Sequence, residues 1–181
     1  KAKAYLAKAS DKKTTLRLAY RDKGVEPLRA AAVEQALKAA GFTVIMDKYP
    51  GSGYYSTVSK RGGDKEPDIV QTSWAFDWSA ASGIVYALFD ARTMTSTDAK
   101  SNYSRGNFAD LQKLFAQADQ SAPAAQEKIL GDIEQKLIQD KAAHISIYFE
   151  RSHMMSGSKL GGVQIDNGWG DLSVIGAYVK K

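Results

Sequence analysis

No cysteine occurs among the 181 residues. Disulfides, thiolate catalysis and cysteine-ligated zinc or iron–sulfur sites are therefore excluded. Histidine is nearly as scarce. His144 and His153 flank the end of a predicted strand, and two imidazoles without a third ligand at a defined spacing make a poor metal site. No apolar run reaches the roughly 18 residues that a membrane-spanning helix needs. A concentrated basic face is missing too. The net charge is +5, but residues 1–13 alone contribute +4 through Lys1, Lys3, Lys8, Lys12 and Lys13 against Asp11. The remaining body is close to neutral, which is not the footprint of a nucleic-acid binder, and the basic leader reads as a solvated helix end. Catalytic signatures are absent as well: there is no Gly-x-Ser-x-Gly elbow, no His-Glu-x-x-His and no P-loop.

What is present is enough apolar material for a core, 44% hydrophobic and 10% aromatic residues, which separates the chain from a disordered tail. It starts at Lys1-Ala-Lys3 without an initiator Met, signal peptide or lipidation cysteine, and Ala2, Tyr5, Leu6 and Ala9 look like the closing turns of an amphipathic helix. The expectation is an excised piece of a longer protein, whose location this piece does not reveal.

Alternation of Leu16 and Leu18 with Arg17 and Ala19 predicts a strand over 14–20. Pro27 suits a first helical turn, Val25, Leu28, Ala32, Ala36, Leu37 and Ala40 give an apolar stripe, and Gly41 stops the helix. The run Phe42, Val44, Ile45, Met46 predicts a second strand covered on both faces. A Gly-, Ser- and Tyr-rich stretch follows, with a short helix over 54–59 and a third strand over 68–73. The strand–helix–strand–helix–strand order implies a parallel sheet. Downstream, helices are predicted over 83–90, from an Asn107 cap with Asp110 three residues on, and from Ser121 and Pro123. The last two carry the stripes Leu111, Leu114, Phe115, Ala118 and Ala125, Ile129, Ile133, Leu137, Ile138. A fourth strand is expected over 144–150, and two more, 162–165 and 172–179, in a glycine-rich tail.

Gly51-Ser-Gly53 follows the second strand but lacks the third glycine of a dinucleotide loop, so it reads as a turn. Asn102-Tyr103-Ser104 matches a glycosylation sequon, relevant only in a eukaryotic secretory pathway. The informative stretch is Thr72-Ser-Trp74-Ala-Phe-Asp77-Trp78, directly after the third strand. Parallel sheets bind ligands at the carboxyl ends of their strands, near a switch point. If the first strand is central, Tyr20 and Arg21 share that edge with Trp74 and Asp77. Indoles supply rigid apolar walls, and a carboxylate between them pairs an ammonium in a partly dry setting. The other reading keeps Trp74 and Phe76 as core anchors and Asp77 as a turn cap.

These segments together resemble the second lobe of solute-binding proteins of ABC importers in the dipeptide/oligopeptide-binding family. Carrying the resemblance are Ala4-Tyr-Leu-Ala-Lys-Ala9, Leu16-Arg-Leu-Ala-Tyr20, Ala32 to Gly41, Thr43 to Met46, Asp68-Ile-Val70 with Trp74-x-x-Asp77, and Asn102-Tyr103-Ser104 ahead of an amphipathic helix. Ser73 replaces the family's usual Gly before the Trp, and Ala80-Ala-Ser-Gly83 replaces its Asp-Pro pair.

The resemblance implies an α/β, periplasmic-binding-protein-like lobe with a mostly parallel sheet flanked by helices, mixed by a late C-terminal strand. Residues 1–181 would form one lobe, with 151–181 belonging to the other lobe or the hinge in the intact protein. It further implies a monomeric, non-enzymatic protein without cofactor or metal, located outside the cytoplasmic membrane in the periplasm or as a cell-surface lipoprotein. Such a protein captures a short peptide, or a sugar, metal chelate or other solute, between two lobes and hands it to a membrane permease. By position, Asp77 would pair the ligand's α-ammonium and Trp74 would form an aromatic wall, with Trp78, Tyr103 and Asn102 lining the cleft beside Tyr20 and Arg21. Two other classes stay open: the ligand-sensing domain of a transcription regulator, and an enzyme assembled from Asp77, Arg21 and Glu150.

Overall fold

A computed structural model describes residues 1–10, 13–63, 65–75, 78, 80–149, 153–166 and 171–181. The chain divides into two compact units, Lys1–Ser73 with Leu88–Asn107, and Trp74–Ala87 with Phe108–Lys181.

The first unit is built on a parallel sheet. β1 (Thr15–Asp22) lies between β2 (Thr43–Pro50) and β3 (Ile69–Val70). β1 pairs with β2 along its whole length, from Thr15 opposite Thr43 to Asp22 opposite Pro50, and places Leu18 and Ala19 opposite Ile69 and Val70. Being central, it buries Leu18 and Ala19 almost completely. β2 differs from the expectation. Its exposure alternates, and Ile45 remains 39% exposed, so the strand is covered on one face only.

α1 (Ala2–Lys8) precedes the sheet, and α2 (Glu26–Ala40) crosses from β1 to β2. Gly41 ends α2 at φ 108°, donating to the carbonyls of Leu37 and Lys38, a conformation that costs a side-chain-bearing residue more than glycine. The inward stripe of α2 is not the expected one. Ala30 is its buried residue and Val33, Leu37 and Ala40 continue that row, whereas Val25 and Leu28 face solvent. Alanine-rich helices carry little contrast between faces, so tertiary contact decides the rotation. Glu26 sits one turn before Ala30 on the same inward face, which places its carboxylate over the end of β1. α3 (Tyr54–Val58) follows β2, and a short 3₁₀ turn occupies Ala91–Thr93.

The second unit contains α4 (Ser82–Phe89), of which residues up to Ala87 belong here, α5 (Ala109–Asp119) and α6 (Pro123–Gln139). α5 buries Leu111, Phe115 and Ala118 as expected, but Phe108 rather than Asn107 occupies the cap, with no side-chain cap bond. α6 turns Leu130, Ile133 and Leu137 inward, while Ala125 and Ile138 point outward. The buried positions follow a spacing of three and four residues more closely than the expected set did.

Among the described residues, 144–149 form no strand, and Glu150 lies outside those residues. Alternating apolar residues make a strand only when a neighbour supplies the ladder. The tail forms two small antiparallel pairs, β4 (Leu160–Gly161) with β7 (Tyr178–Val179) and β5 (Gln164–Asp166) with β6 (Asp171–Ser173). Among the described residues these late strands pair with each other and the three-stranded sheet stays wholly parallel. Glycine is required at 162, where the backbone runs at φ 69° and a Cβ would strike the Gly176 carbonyl oxygen.

Candidate functional site

The carboxyl edge of the parallel sheet is where the first unit gathers its polar and aromatic side chains. β1 delivers Tyr20 and Arg21 there, and the backbone N–H of Gln71, just past β3, extends the ladder by donating to Ala19 O at 2.9 Å. Arg21 donates through Nη2 to Glu26 Oε1 at 2.8 Å. The other carboxylate oxygen of Glu26 accepts from Gln71 Nε2, also at 2.8 Å, so a single carboxylate ties the end of β1 to the residue after β3. Both sides of the ion pair are mostly buried, with side-chain exposures of 19% and 12%. The hydrogen bond to Glu26 is the main reason that Arg21 holds its proton more firmly than a free guanidinium.

Above this pair runs a chain of tyrosine rings. Tyr49 meets Tyr54 edge-on at 5.9 Å between centroids, Tyr54 meets Tyr55 at 5.1 Å, and Tyr55 meets Tyr103 at 5.7 Å. The Arg21 guanidinium carbon stands 5.4 Å from the Tyr55 centroid, within the range of a cation–π contact. Burial pushes the phenol pKa values of Tyr54 and Tyr103 upward, so both hydroxyls stay neutral donors at physiological pH.

Tyr103 reaches the ring chain because its loop is fastened to α3 and to the chain before β3. Arg105 adopts a left-handed backbone at φ 55°, donates to the carbonyls of Pro67 at 3.0 Å and Val58 at 2.8 Å, and pairs with Glu66. Lys60 and Asp98 close the loop's other end at 2.8 Å. Asn102 is fully buried inside the loop: its amide nitrogen donates to Gly106 O, and its oxygen accepts from Ser104 Oγ at 2.6 Å. Its side chain thus shapes the loop that presents Tyr103.

In the second unit, Trp74 donates from Nε1 to Gly83 O at 3.3 Å, and Trp78 to Ser82 Oγ at 2.8 Å. Gly83 lies against the Trp78 backbone and ring, and Trp78 keeps 53% of its surface exposed. These two indoles are therefore anchored at their polar tips while retaining accessible faces. Asp77 and Phe76 lie outside the described residues.

Of the residues expected from sequence, Tyr20, Arg21, Asn102 and Tyr103 belong to the first unit, and Trp74 and Trp78 to the second. Within the first unit, Arg21 and Tyr103 converge on one residue, Tyr55. Sequence reasoning missed Tyr55, Glu26 and Gln71. The Tyr54-Tyr55 pair inside a Gly/Ser-rich stretch was the available signal, whereas Glu26 and Gln71 acquire meaning only through a contact 45 residues apart in the chain.

No family model matches the chain, and no curated protein shows significant sequence similarity to it. Solved structures match it in fold. The fold is similar to that of clavulanic acid biosynthesis oligopeptide binding protein 2, at a TM-score of 0.84 and 16% identity, over 99% of this chain and 33% of that one. It is also similar to the substrate-binding domain of an oligopeptide ABC transporter from Bacillus anthracis str. Ames (TM-score 0.72, 16% identity, 99% of this chain and 34% of that one). A dipeptide binding protein from Pseudoalteromonas sp. SM9913, solved in complex with Met-Leu, matches at TM-score 0.72 and 17% identity over 98% and 35% of the two chains. The chain thus has the α/β fold of part of these solute-binding proteins and spans about a third of their length.

Proposed function

We propose that this chain is one lobe of the extracytoplasmic solute-binding component of an ABC importer, and that the whole protein captures short peptides between two lobes for delivery to a membrane permease. The observation that carries the reading is the superposition of 99% of the chain on one third of an oligopeptide-binding protein at a TM-score of 0.84. The site chemistry agrees with it. Tyr55 and Tyr103 offer stacking surface beside a hydrogen-bonded Arg21–Glu26–Gln71 group, and Trp74 and Trp78 are tethered through their ring nitrogens with their faces accessible. Such rigid amphipathic walls suit a ligand that combines an amide backbone with varied side chains.

Asp77 completes the reading as the partner of the ligand's α-ammonium, on the strength of its place in Trp74-x-x-Asp77. Closure of two lobes on the ligand would give the permease a loaded state to recognise. Native mass spectrometry of the full-length protein, purified from its own host, tests the proposal. A co-purified mass resolving to a short peptide, and lost in Asp77→Ala, is the expected result. A sugar or metal chelate in its place would overturn the peptide assignment.

A further inference from the structure

The charges at the sheet's carboxyl edge are matched to one another. Arg21 is held by Glu26 at 2.8 Å, and Lys48 by Asp22 at 3.1 Å. Glu26 is fixed on both oxygens, one accepting from Arg21 and the other from Gln71, whose amide also lies 3.3 Å from the Glu26 carbonyl. A carboxylate restrained at both oxygens does not swing aside at little cost. An arginine at a ligand-facing edge is ordinarily a receptor for carboxylates, through its paired N–H donors. Here one terminal nitrogen is already spent on a carboxylate, and the guanidinium carbon lies over the Tyr55 ring, 5.4 Å from its centroid. An acidic group arriving at Arg21 would meet Glu26 as a like charge in a partly dry setting, where such a juxtaposition is strongly unfavourable. An uncharged group meets no such opposition and finds the Tyr55 and Tyr103 rings, 5.7 Å apart, as stacking surface.

We propose that Glu26 is a specificity-determining residue: by pairing the Arg21 charge it makes the Tyr55–Tyr103 surface a subsite for uncharged, preferably aromatic, peptide side chains and sets it against acidic ones. The inference rests on the peptide-capture reading above and names the side-chain class taken by that site. Glu26 acts as a filter rather than as an anchor, so its loss changes which peptides bind more than how tightly the best ones do.

The test uses alanine tripeptides carrying Glu, Gln or Phe at each position in turn, titrated calorimetrically against the full-length protein. At one position the wild type is expected to bind the Gln and Phe peptides at least about tenfold more tightly than the Glu peptide, a ratio of the size that one unfavourable charge contact produces. Glu26→Gln should abolish or reverse that ratio. The double variant Arg21→Gln with Glu26→Gln should show no preference between Glu and Gln. Should Glu26→Gln fail to fold, as judged by circular dichroism, Glu26→Asp withdraws the carboxylate from Arg21 by one methylene and is expected to narrow the ratio. A wild type that favours or ignores acidic side chains at every position, or a Glu26 variant with the wild-type profile, overturns the inference while leaving peptide capture intact. Absence of heat with every tripeptide removes the peptide reading itself, and the inference with it.

Discussion

The phenol of Tyr54 reaches across two strand ends, its hydroxyl lying 3.0 Å from Ala19 O and 2.7 Å from Gln71 O. The ring beneath is almost fully buried against Ala19 and Val58, with Tyr49, Tyr55, Val70 and Tyr103 around it. One hydroxyl proton serves one carbonyl at a time, and Ala19 O already accepts from the Gln71 N–H. Tyr54→Phe should therefore cost only about 1 kcal/mol, the net value of one hydrogen bond. Tyr54→Ala should cost about 3–5 kcal/mol by opening a cavity beneath the candidate site. Urea unfolding of the two variants checks both numbers. Equal losses would mean that the hydroxyl, rather than the ring, carries the contribution.

Arg105 combines a left-handed backbone with a guanidinium only 13% exposed, set against the carbonyls of Pro67, Val58 and Lys60. The two features have opposite energetic signs. Arg105→Gly loses the hydrogen bonds but relaxes the backbone, whereas Arg105→Ala loses the bonds and keeps the strain. Arg105→Ala should thus be the less stable of the two by about 1 kcal/mol. Arg105→Lys should lose about 1–3 kcal/mol, because a point ammonium cannot occupy three acceptors in a planar fork. Thermal unfolding ranks the three, and a glycine variant less stable than the alanine variant would contradict the assignment of strain.

Acid should loosen the same loop. The Asp98 carboxyl is held below its ordinary pKa, chiefly by the hydrogen bond from Lys60 and then by the Lys100 backbone N–H. A carboxyl whose folded pKa is depressed adds stability above its unfolded value of about 3.9, and that contribution fades as pH falls through the folded value. Burial works against ionisation at Asp68, but Lys13 and the Arg17 N–H outweigh it, so its shift has the same sign. The expected result is a urea midpoint that falls between pH 7 and pH 3, with a smaller fall in Asp98→Asn. An undiminished fall in that variant would place the acid sensitivity elsewhere.

If peptide capture needs both lobes, the 181-residue chain alone holds only part of the cavity. Tripeptides should bind it at least about 100-fold more weakly than they bind the full-length protein, because half of the ligand surface stays in water. Parallel titrations compare the two, and equal affinities would show that this portion is a complete receptor.

The framework that positions the site was legible because its signals are local. The alternation at Leu16–Leu18, the stop at Gly41 and the Gly/Ser-rich lead-in to Tyr54 each act within one turn or strand. Long-range contacts were not legible. The role of Glu26 exists only where Gln71 and Arg21 close on it, and the amide of Asn102 is engaged within its own loop, neither of which a local pattern encodes. The rotation of α2 and α6 was misjudged for a related reason. Alanine, valine and leucine in α2, and alanine, leucine and isoleucine in α6, occur on adjacent faces, and only the surface packed against them selects one. For residues 144–149 the alternation was genuine, but a strand also needs a neighbour.

The exposed apolar side chains of residues 145–149 set how the polypeptide behaves in the test tube. Ile145, Ile147 and Phe149 stand 82%, 61% and 93% exposed, alternating in sequence with Ser146 and Tyr148. Such a cluster of exposed apolar side chains can pack against the same stretch in a second molecule. Concentrated solutions of the isolated polypeptide will tend to gel or precipitate through this stretch. A single lysine at position 147 would keep them clear at little cost to the packed helices elsewhere.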